Sequence, residues 1–309
     1  MKETRVFDGD IKIFSPRYSG KSTFLAALAN HYYFSPDKRP ILSIQAGNAS
    51  GEHLIEMARD ILLNEAMLPP MADIDSYYLS ITSEVTLIKK QPISMKGISK
   101  LAPYVQNIVE LRAYYTPYAG EWFEMLKTSG DSLTPSIEYI FDDLAAANQV
   151  IFLFDSTSSR LDDQYAQAVS ALSNQLYKRR NSADDEKRYA IVFSKMDLFP
   201  GFSGLSDLDH LNSSIKIKFP KLFFEFQKWS RHENCSFRYF ACSAFGMIGN
   251  PPIPNAVRAT NVGSDVDAGC GWVIRKPEFW QPSGLVSPIY WLLSGDKDDP
   301  ILLDYPSFS

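Results

Sequence analysis

Apolar residues follow two different periods along this chain, and together they predict strands that alternate with helices. Short apolar runs typical of buried strands occur at residues 10–14, 150–155, 189–197 and 237–245. Apolar residues recur with helical spacing at residues 23–34, 53–63, 135–147, 164–179, 206–231 and 285–293. Two further β-rich runs, at 77–89 and 107–115, are expected to pair as neighbours. This alternation predicts an α/β fold with a mainly parallel central sheet covered on both faces, and ligand sites at the carboxyl ends of the strands.

The length of 309 residues allows one large domain with a sizeable core. We expect a single domain over residues 1–309, enlarged by an insertion at about 40–106. A long loop is expected at about 246–284, where Pro and Gly are frequent. Within that loop, Trp272 and Trp280 are expected either to cover a bound ligand or to contact a partner.

Charge and composition exclude several classes of function. The formal net charge of -5 gives no broad attraction to nucleic acid or to an anionic membrane, so we expect neither as a direct partner. The charged N-terminal residues do not resemble a signal peptide, and the three cysteines have no paired spacing. We therefore expect a cytoplasmic protein. The four histidines show no metal-ligand spacing, and the basic run at 178–180 is expected to be a solvated helix end.

The sequence SPRYSGKST at 15–23 matches a phosphate-binding loop, except that Ser15 stands where its first Gly is expected. Gly20 would allow close approach of the backbone, Lys21 would reach the β- and γ-phosphates, and the Ser22 hydroxyl would coordinate Mg²⁺. The candidate nucleotide-binding residues of this loop are Ser15, Tyr18, Ser19, Gly20, Lys21, Ser22 and Thr23.

Two further motifs follow predicted strands. FSKMD at 193–197 resembles the guanine-reading motif of GTPases, with Ser194 in place of the usual Asn. Asp197 would accept hydrogen bonds from the ring N–H and the exocyclic amine of guanine, neither of which adenine offers there. Lys195 would lie along the base with its aliphatic stem. ACSAF at 241–245 resembles the motif whose backbone amides, here those of Ser243 and Ala244, contact guanine O6.

The order of phosphate loop, TPYAGE, FSKMD and CSAF is that of Ras-like and translation-factor-like GTPases. The segment YYTPYAGEWF before VIFLFD makes the chain look most similar to GTPases of bacterial conflict-system operons, the double-GTPase proteins. This resemblance implies a three-layer P-loop NTPase fold with Ras-like topology and insertions. It also implies a molecular switch that binds GTP or GDP with Mg²⁺, acts on a protein effector, and belongs to a bacterial defence or other multiprotein system.

The sequence departs from this family at the positions that serve hydrolysis. The third motif, usually Asp-x-x-Gly, here occupies residues 117–120 without its Asp. Gly120 can still offer its amide, and Glu121 replaces the residue that usually orients the attacking water. The switch Thr is expected near 69–72, where the sequence has none. With Lys21, Gly120 and Glu121 as the candidate catalytic residues, we expect nucleotide binding to survive and hydrolysis to be slow or absent without a partner.

Two alternatives remain open from the sequence. An ATPase would use the same loop with Asp155, at the end of an apolar strand, as the carboxylate linked to Mg²⁺. A degenerate P-loop domain would instead act as a scaffold or docking surface. The pair Trp122 and Phe123 is a candidate partner surface for such a scaffold, although packing is the commoner role of aromatic residues there.

Overall fold

A computed structural model of the protein describes residues 4–30, 41–64, 76–87, 105–128, 135–179, 186–200, 202, 208–231, 235–258 and 272–295. The predicted position of the switch Thr, residues 69–72, lies outside these described residues, as do Arg180 and Cys270. No helix within them is long and apolar enough to cross a membrane.

A seven-stranded sheet forms the centre of the fold, in the order β2-β3-β4-β1-β5-β6-β7. Its strands are β1 (Thr4–Phe14), β2 (Ile41–Ala46), β3 (Tyr77–Leu87), β4 (Val105–Pro117), β5 (Gln149–Asp155), β6 (Lys187–Ser194) and β7 (Cys235–Ala241). Five neighbouring strands from β4 to β7 run parallel, whereas β3 is antiparallel to both β2 and β4. This sheet confirms the predicted α/β fold with a mainly parallel central sheet.

Helices cover both faces of the sheet and complete three layers. They are α1 (Lys21–Asn30), α2 (Ala49–Asn64), α3 (Gly120–Thr128), α4 (Pro135–Ala146), α5 (Asp162–Arg179), α6 (Leu208–Lys218), α7 (Pro220–Trp229) and α8 (Val286–Ser294). One apolar cluster joins the sheet to α1, α2 and α8. A second cluster joins the other face to the helices from α3 to α7. Each face therefore has its own core.

Strand β5 shows why the sequence produces this sandwich. Ile151 and Leu153 belong to one core cluster, whereas Val150, Phe152 and Phe154 belong to the other. Successive side chains of a strand point to opposite faces, so a strand covered on both faces needs apolar residues at every position. The uninterrupted run VIFLF is the sequence signature of this central position.

Three regions are organised differently from the sequence expectation. The helical region 206–231 contains two helices, because Pro220 lacks the N–H needed to continue a helix and instead occupies the first turn of α7. Strands β2 and β3 of the predicted insertion are hydrogen-bonded into the central sheet. Described parts of the long loop form two antiparallel strand pairs, β8 (Met247–Ile248) with β9 (Ile253–Pro254) and β10 (Ala256–Arg258) with β11 (Trp272–Ile274).

Candidate nucleotide-binding site

The phosphate loop connects the carboxyl end of β1 to the first turn of α1. Two of its residues have positive φ, Tyr18 at 63° and Gly20 at 89°, and these turn the chain back towards the helix. Glycine adopts such a conformation without a steric penalty, which explains Gly20 at the second of these positions. The amide of Phe24 then donates to the carbonyl of Gly20 at 2.8 Å and begins the helical hydrogen bonds.

Lys21 is buried in the first turn of α1, where its Nζ donates to the carbonyl oxygen of Tyr118. Burial lowers the pKa of Lys21 to about 8, although the nearby carboxylate of Glu121 opposes this shift. Glu121 itself pairs with Arg17 in the phosphate loop. The predicted third motif and the phosphate loop are therefore in direct contact, and no motif in the sequence indicated that Arg17 takes part.

Gly120 fits closely against the phosphate loop. A Cβ atom at this position would lie 2.6 Å from the backbone nitrogen of Arg17, a distance that real Cβ contacts do not show. Tyr118, two residues earlier, donates its amide to the carbonyl of Ile13 at 2.9 Å. Together these contacts hold the beginning of α3 on the loop, and Phe123 is buried in the core beneath it. The alternative prediction that Phe123 belongs to a partner surface is therefore wrong.

Residues at the end of β6 are hydrogen-bonded to the phosphate loop. The hydroxyl of Ser194 donates to the carbonyl of Ser19 and lies 3.1 Å from the carbonyl of Phe154. Lys195 has a φ of 56°, and its Nζ donates to the carbonyl of Tyr18 at 2.6 Å. Serine in place of the usual Asn thus still connects the two motifs.

Asp197, the predicted base-reading residue, has a buried carboxylate with one oxygen engaged. Its side chain is buried, with the residue 5% exposed, and the hydroxyl of Ser243 donates to Oδ1 at 2.6 Å. That hydroxyl also accepts the amide of Gly246 at 2.7 Å, so its single hydrogen is directed to Asp197. Oδ2 is buried and finds no donor among the described residues. Burial raises the pKa of Asp197, while the hydrogen bond from Ser243 opposes that rise.

The segment after β7 is supported by residues distant in sequence. Ser243 and Ser283 exchange two backbone hydrogen bonds of 2.9 and 2.8 Å. Trp280 is 1% exposed, and its Nε1 donates to the carbonyl of Ala244 at 2.6 Å. Trp280 therefore positions the backbone of the CSAF motif from the core and does not provide an exposed cover, which corrects the sequence expectation. No local sequence pattern predicts this contact between Trp280 and Ala244.

Asp155, the carboxylate of the ATPase alternative, has both oxygens occupied. Oδ1 accepts the amide of Thr157 at 2.9 Å and its hydroxyl at 2.6 Å, and Oδ2 forms an ion pair with Lys195 at 2.7 Å. Burial alone would raise the pKa of Asp155, but these partners, led by Lys195, lower it overall. Asp155 thus fixes the position of Lys195 beside the loop.

The phosphate loop itself carries hydroxyl groups, and the carboxylates next to it, Glu121 and Asp155, are paired with Arg17 and Lys195. The described part of the chain contains no cluster of three or more His, Cys, Asp or Glu side chains suited to a metal ion. Mg²⁺ keeps several waters and commonly binds one or two protein oxygens together with substrate phosphates, so Ser22, its predicted ligand, would hold it only together with phosphate oxygens and water. The hydroxyls of Ser15 and Ser19 are buried without a partner among the described residues. Buried hydroxyls are normally hydrogen-bonded, which makes both candidate donors to a phosphate.

Comparisons with known proteins match the chain only at the level of structure. No protein-family model matches it, and no curated protein matches its sequence. A structure of the signal recognition particle receptor SRb-GTP/SRX complex from Chaetomium thermophilum is 14% identical, with a TM-score of 0.33, covering 77% of this chain and 91% of that one. A mutation variant of SsGBP is 12% identical, with a TM-score of 0.30, and the match covers 76% of this chain and 50% of that one. Neither likeness assigns a function, and the α/β fold is established by the order and direction of the strands in the central sheet.

Proposed function

We propose that this protein is a guanine-nucleotide-binding switch that holds GTP or GDP with Mg²⁺. The observation that carries the proposal is Asp197, whose carboxylate is buried, fixed by Ser243 through one oxygen, and without a donor among the described residues at the other. Guanine presents two adjacent donors, its ring N–H and exocyclic amine, whereas adenine presents an acceptor at the first position and lacks the second donor. A buried carboxylate left without these donors is costly, which favours guanine over adenine.

The phosphates would be bound by the loop between β1 and α1. Backbone N–H groups at the beginning of a helix, together with its dipole, attract a phosphate. Lys21 would exchange the Tyr118 carbonyl for the β- and γ-phosphates, and the buried hydroxyls of Ser15 and Ser19 would donate to phosphate oxygens. The hydroxyl of Ser22 would hold Mg²⁺, which supplies positive charge between the phosphates.

The contacts of Asp155 favour guanine over the ATPase alternative. Both of its oxygens are engaged by Lys195 and Thr157, so a metal-linked role would require breaking a buried ion pair. In the guanine proposal, the same ion pair keeps the stem of Lys195 beside the base.

Hydrolysis is proposed to be weak unless a partner assists it. The third motif lacks its Asp, and the carboxylate of Glu121 is engaged by Arg17. A carboxylate next to a γ-phosphate of like charge is also a poor means of orienting water. A partner would therefore supply the missing groups and read the GTP-bound form. Following the resemblance to conflict-system GTPases, we place this partner in a bacterial defence or other multiprotein system.

Calorimetric titration of the purified protein with GTP, GDP and ATP in the presence of Mg²⁺ tests the proposal. Nucleotide released on denaturation is first identified by chromatography, and steady-state phosphate release is measured on the same sample. We expect guanine-selective binding and slow release. Preference for ATP would overturn the guanine assignment, whereas an ordinary GTPase rate without a partner would overturn only the proposal on hydrolysis.

A further inference from the structure

Three charged side chains meet where the phosphate loop contacts α3. The guanidinium of Arg17, in the middle of the loop, pairs with the carboxylate of Glu121 at the start of α3. The ammonium group of Lys21 interacts electrostatically with the same carboxylate. Lys21 has a role in the proposed function and Glu121 has a predicted one, but Arg17 has none so far.

Backbone contacts hold the loop against the first turn of α3. Gly120 packs so tightly on Arg17 that a Cβ would lie 2.6 Å from its nitrogen and 2.7 Å from its Cα. On the other side of the motif, Lys21 reaches the carbonyl of Tyr118. The loop and the first turn of α3 therefore meet through the main chain. Arg17 and Lys21 both interact with the carboxylate of Glu121, so an anion that replaced this carboxylate would meet both side chains.

The Arg17 pair is suited to exchange between two anions. The side chains of Arg17 and Glu121 are 46% and 49% exposed, and ion pairs at such exposure contribute little stability. A phosphate carries more charge than a carboxylate and offers the paired oxygens that a guanidinium binds best. The third phosphate of GTP would thus compete with Glu121 for Arg17, and GDP lacks that group.

We propose that Arg17 distinguishes GTP from GDP by leaving Glu121 for the third phosphate while remaining paired with Glu121 when GDP is bound. This inference rests on the proposed function and assigns the recognition of nucleotide state to a variable position of the predicted phosphate loop. Release of Glu121 would leave an unpaired carboxylate at the exposed beginning of α3, and this change of surface charge would carry the signal to a partner. Arg17 and Glu121 would in this way replace the sensing Asp and Thr that the sequence lacks.

The test measures affinity for GDP and for a non-hydrolysable β,γ-imido analogue of GTP by calorimetry. Arg17→Ala should lower affinity for the analogue about five- to tenfold and for GDP less than about twofold, since only the triphosphate gains the guanidinium. Glu121→Gln should raise affinity for the analogue about threefold, because a competing carboxylate is removed. Arg17→Lys keeps the charge without the paired donors and should fall between Arg17→Ala and the unaltered protein.

The exposed ion pair of Lys221 and Asp163, at 2.7 Å on the surface formed by α7 and α5, provides the matched control. Lys221→Ala should leave both affinities unchanged, and thermal unfolding of every variant verifies its fold. Equal losses for GDP and the analogue in Arg17→Ala, or no loss for either, would refute the role of Arg17 and leave guanine binding intact. Failure of the unaltered protein to bind any guanine nucleotide would refute both proposals.

Discussion

Replacing Asp197 with asparagine tests the base-reading site most directly. The substitution preserves the size of the side chain, and its remaining oxygen can still accept the hydroxyl of Ser243, which lies 2.6 Å from Oδ1. What changes is the second atom, Oδ2, which is now a buried acceptor without a donor among the described residues. In the variant this position would present an N–H group to a guanine that also presents N–H groups.

The expected loss follows from the two hydrogen bonds of the proposed complex. A hydrogen bond to a charged group contributes about 1.5–3 kcal/mol, so the ring N–H and the exocyclic amine together account for roughly 3–5 kcal/mol. Affinity for GDP should therefore fall roughly 10²- to 10⁴-fold. Affinity for ATP, which would make neither hydrogen bond, should change by less than about threefold.

The assay compares GDP with IDP, which lacks the exocyclic amine, in both the unaltered protein and the Asp197→Asn variant. Removing the amine should weaken binding to the unaltered protein but have little effect on the variant, because its side-chain amide no longer accepts from that amine. This double-mutant cycle isolates the contact between the amine and the carboxylate from general damage to the site. Asp163→Asn, at an exposed carboxylate on α5, provides the matched charge control.

Two results would refute the reasoning. One is an affinity for GDP within about threefold of the unaltered value, which is too small for the loss of even one charged hydrogen bond. The other is an equal preference for GDP over IDP in both proteins. A matching loss for GDP and ATP would instead indicate that the phosphate loop is disturbed, and thermal unfolding would detect this.

Three further predictions concern the phosphate side of the site. Phosphate binding favours charged Lys21, whose pKa is about 8, so affinity for GDP should be nearly constant below about pH 7 and fall about tenfold between pH 7 and 9; Lys21→Arg should bind equally at both pH values, and a fall there too would contradict the assignment. Ser194→Ala removes the donor shared by the carbonyls of Ser19 and Phe154 and should lower the free energy of unfolding by about 1–3 kcal/mol, measured by urea titration. An unchanged urea midpoint would show that this hydroxyl does not stabilise the contact between the two segments. Gly120→Ala should weaken binding of GTP and GDP at least about tenfold, since the added Cβ clashes with the loop backbone; near-normal titrations would mean that α3 can move away freely.

The sequence alone determined the main architecture and the positions of the motifs. A strand covered on both faces is apolar at every residue and a helix on a sheet is apolar every three to four, so β5 and α5 are visible in the chain itself. The predicted phosphate loop rests on equally local information, because Gly20, Lys21 and Ser22 are adjacent. These features depend on neighbours in sequence, which is the information that periodicity and spacing contain.

The tertiary structure decided what the motif residues contact. Ser243 and Asp197 lie 46 positions apart, and Arg17 and Glu121 lie 104 positions apart, so their pairing depends on which strands become neighbours in the sheet. Trp280 could be recognised as a buried support for Ala244 only once the described parts of the long loop had folded against the end of β7. Local sequence patterns determine which segments form helices and strands. Strand order determines which distant side chains come into contact, and the chemistry of this site depends on those contacts.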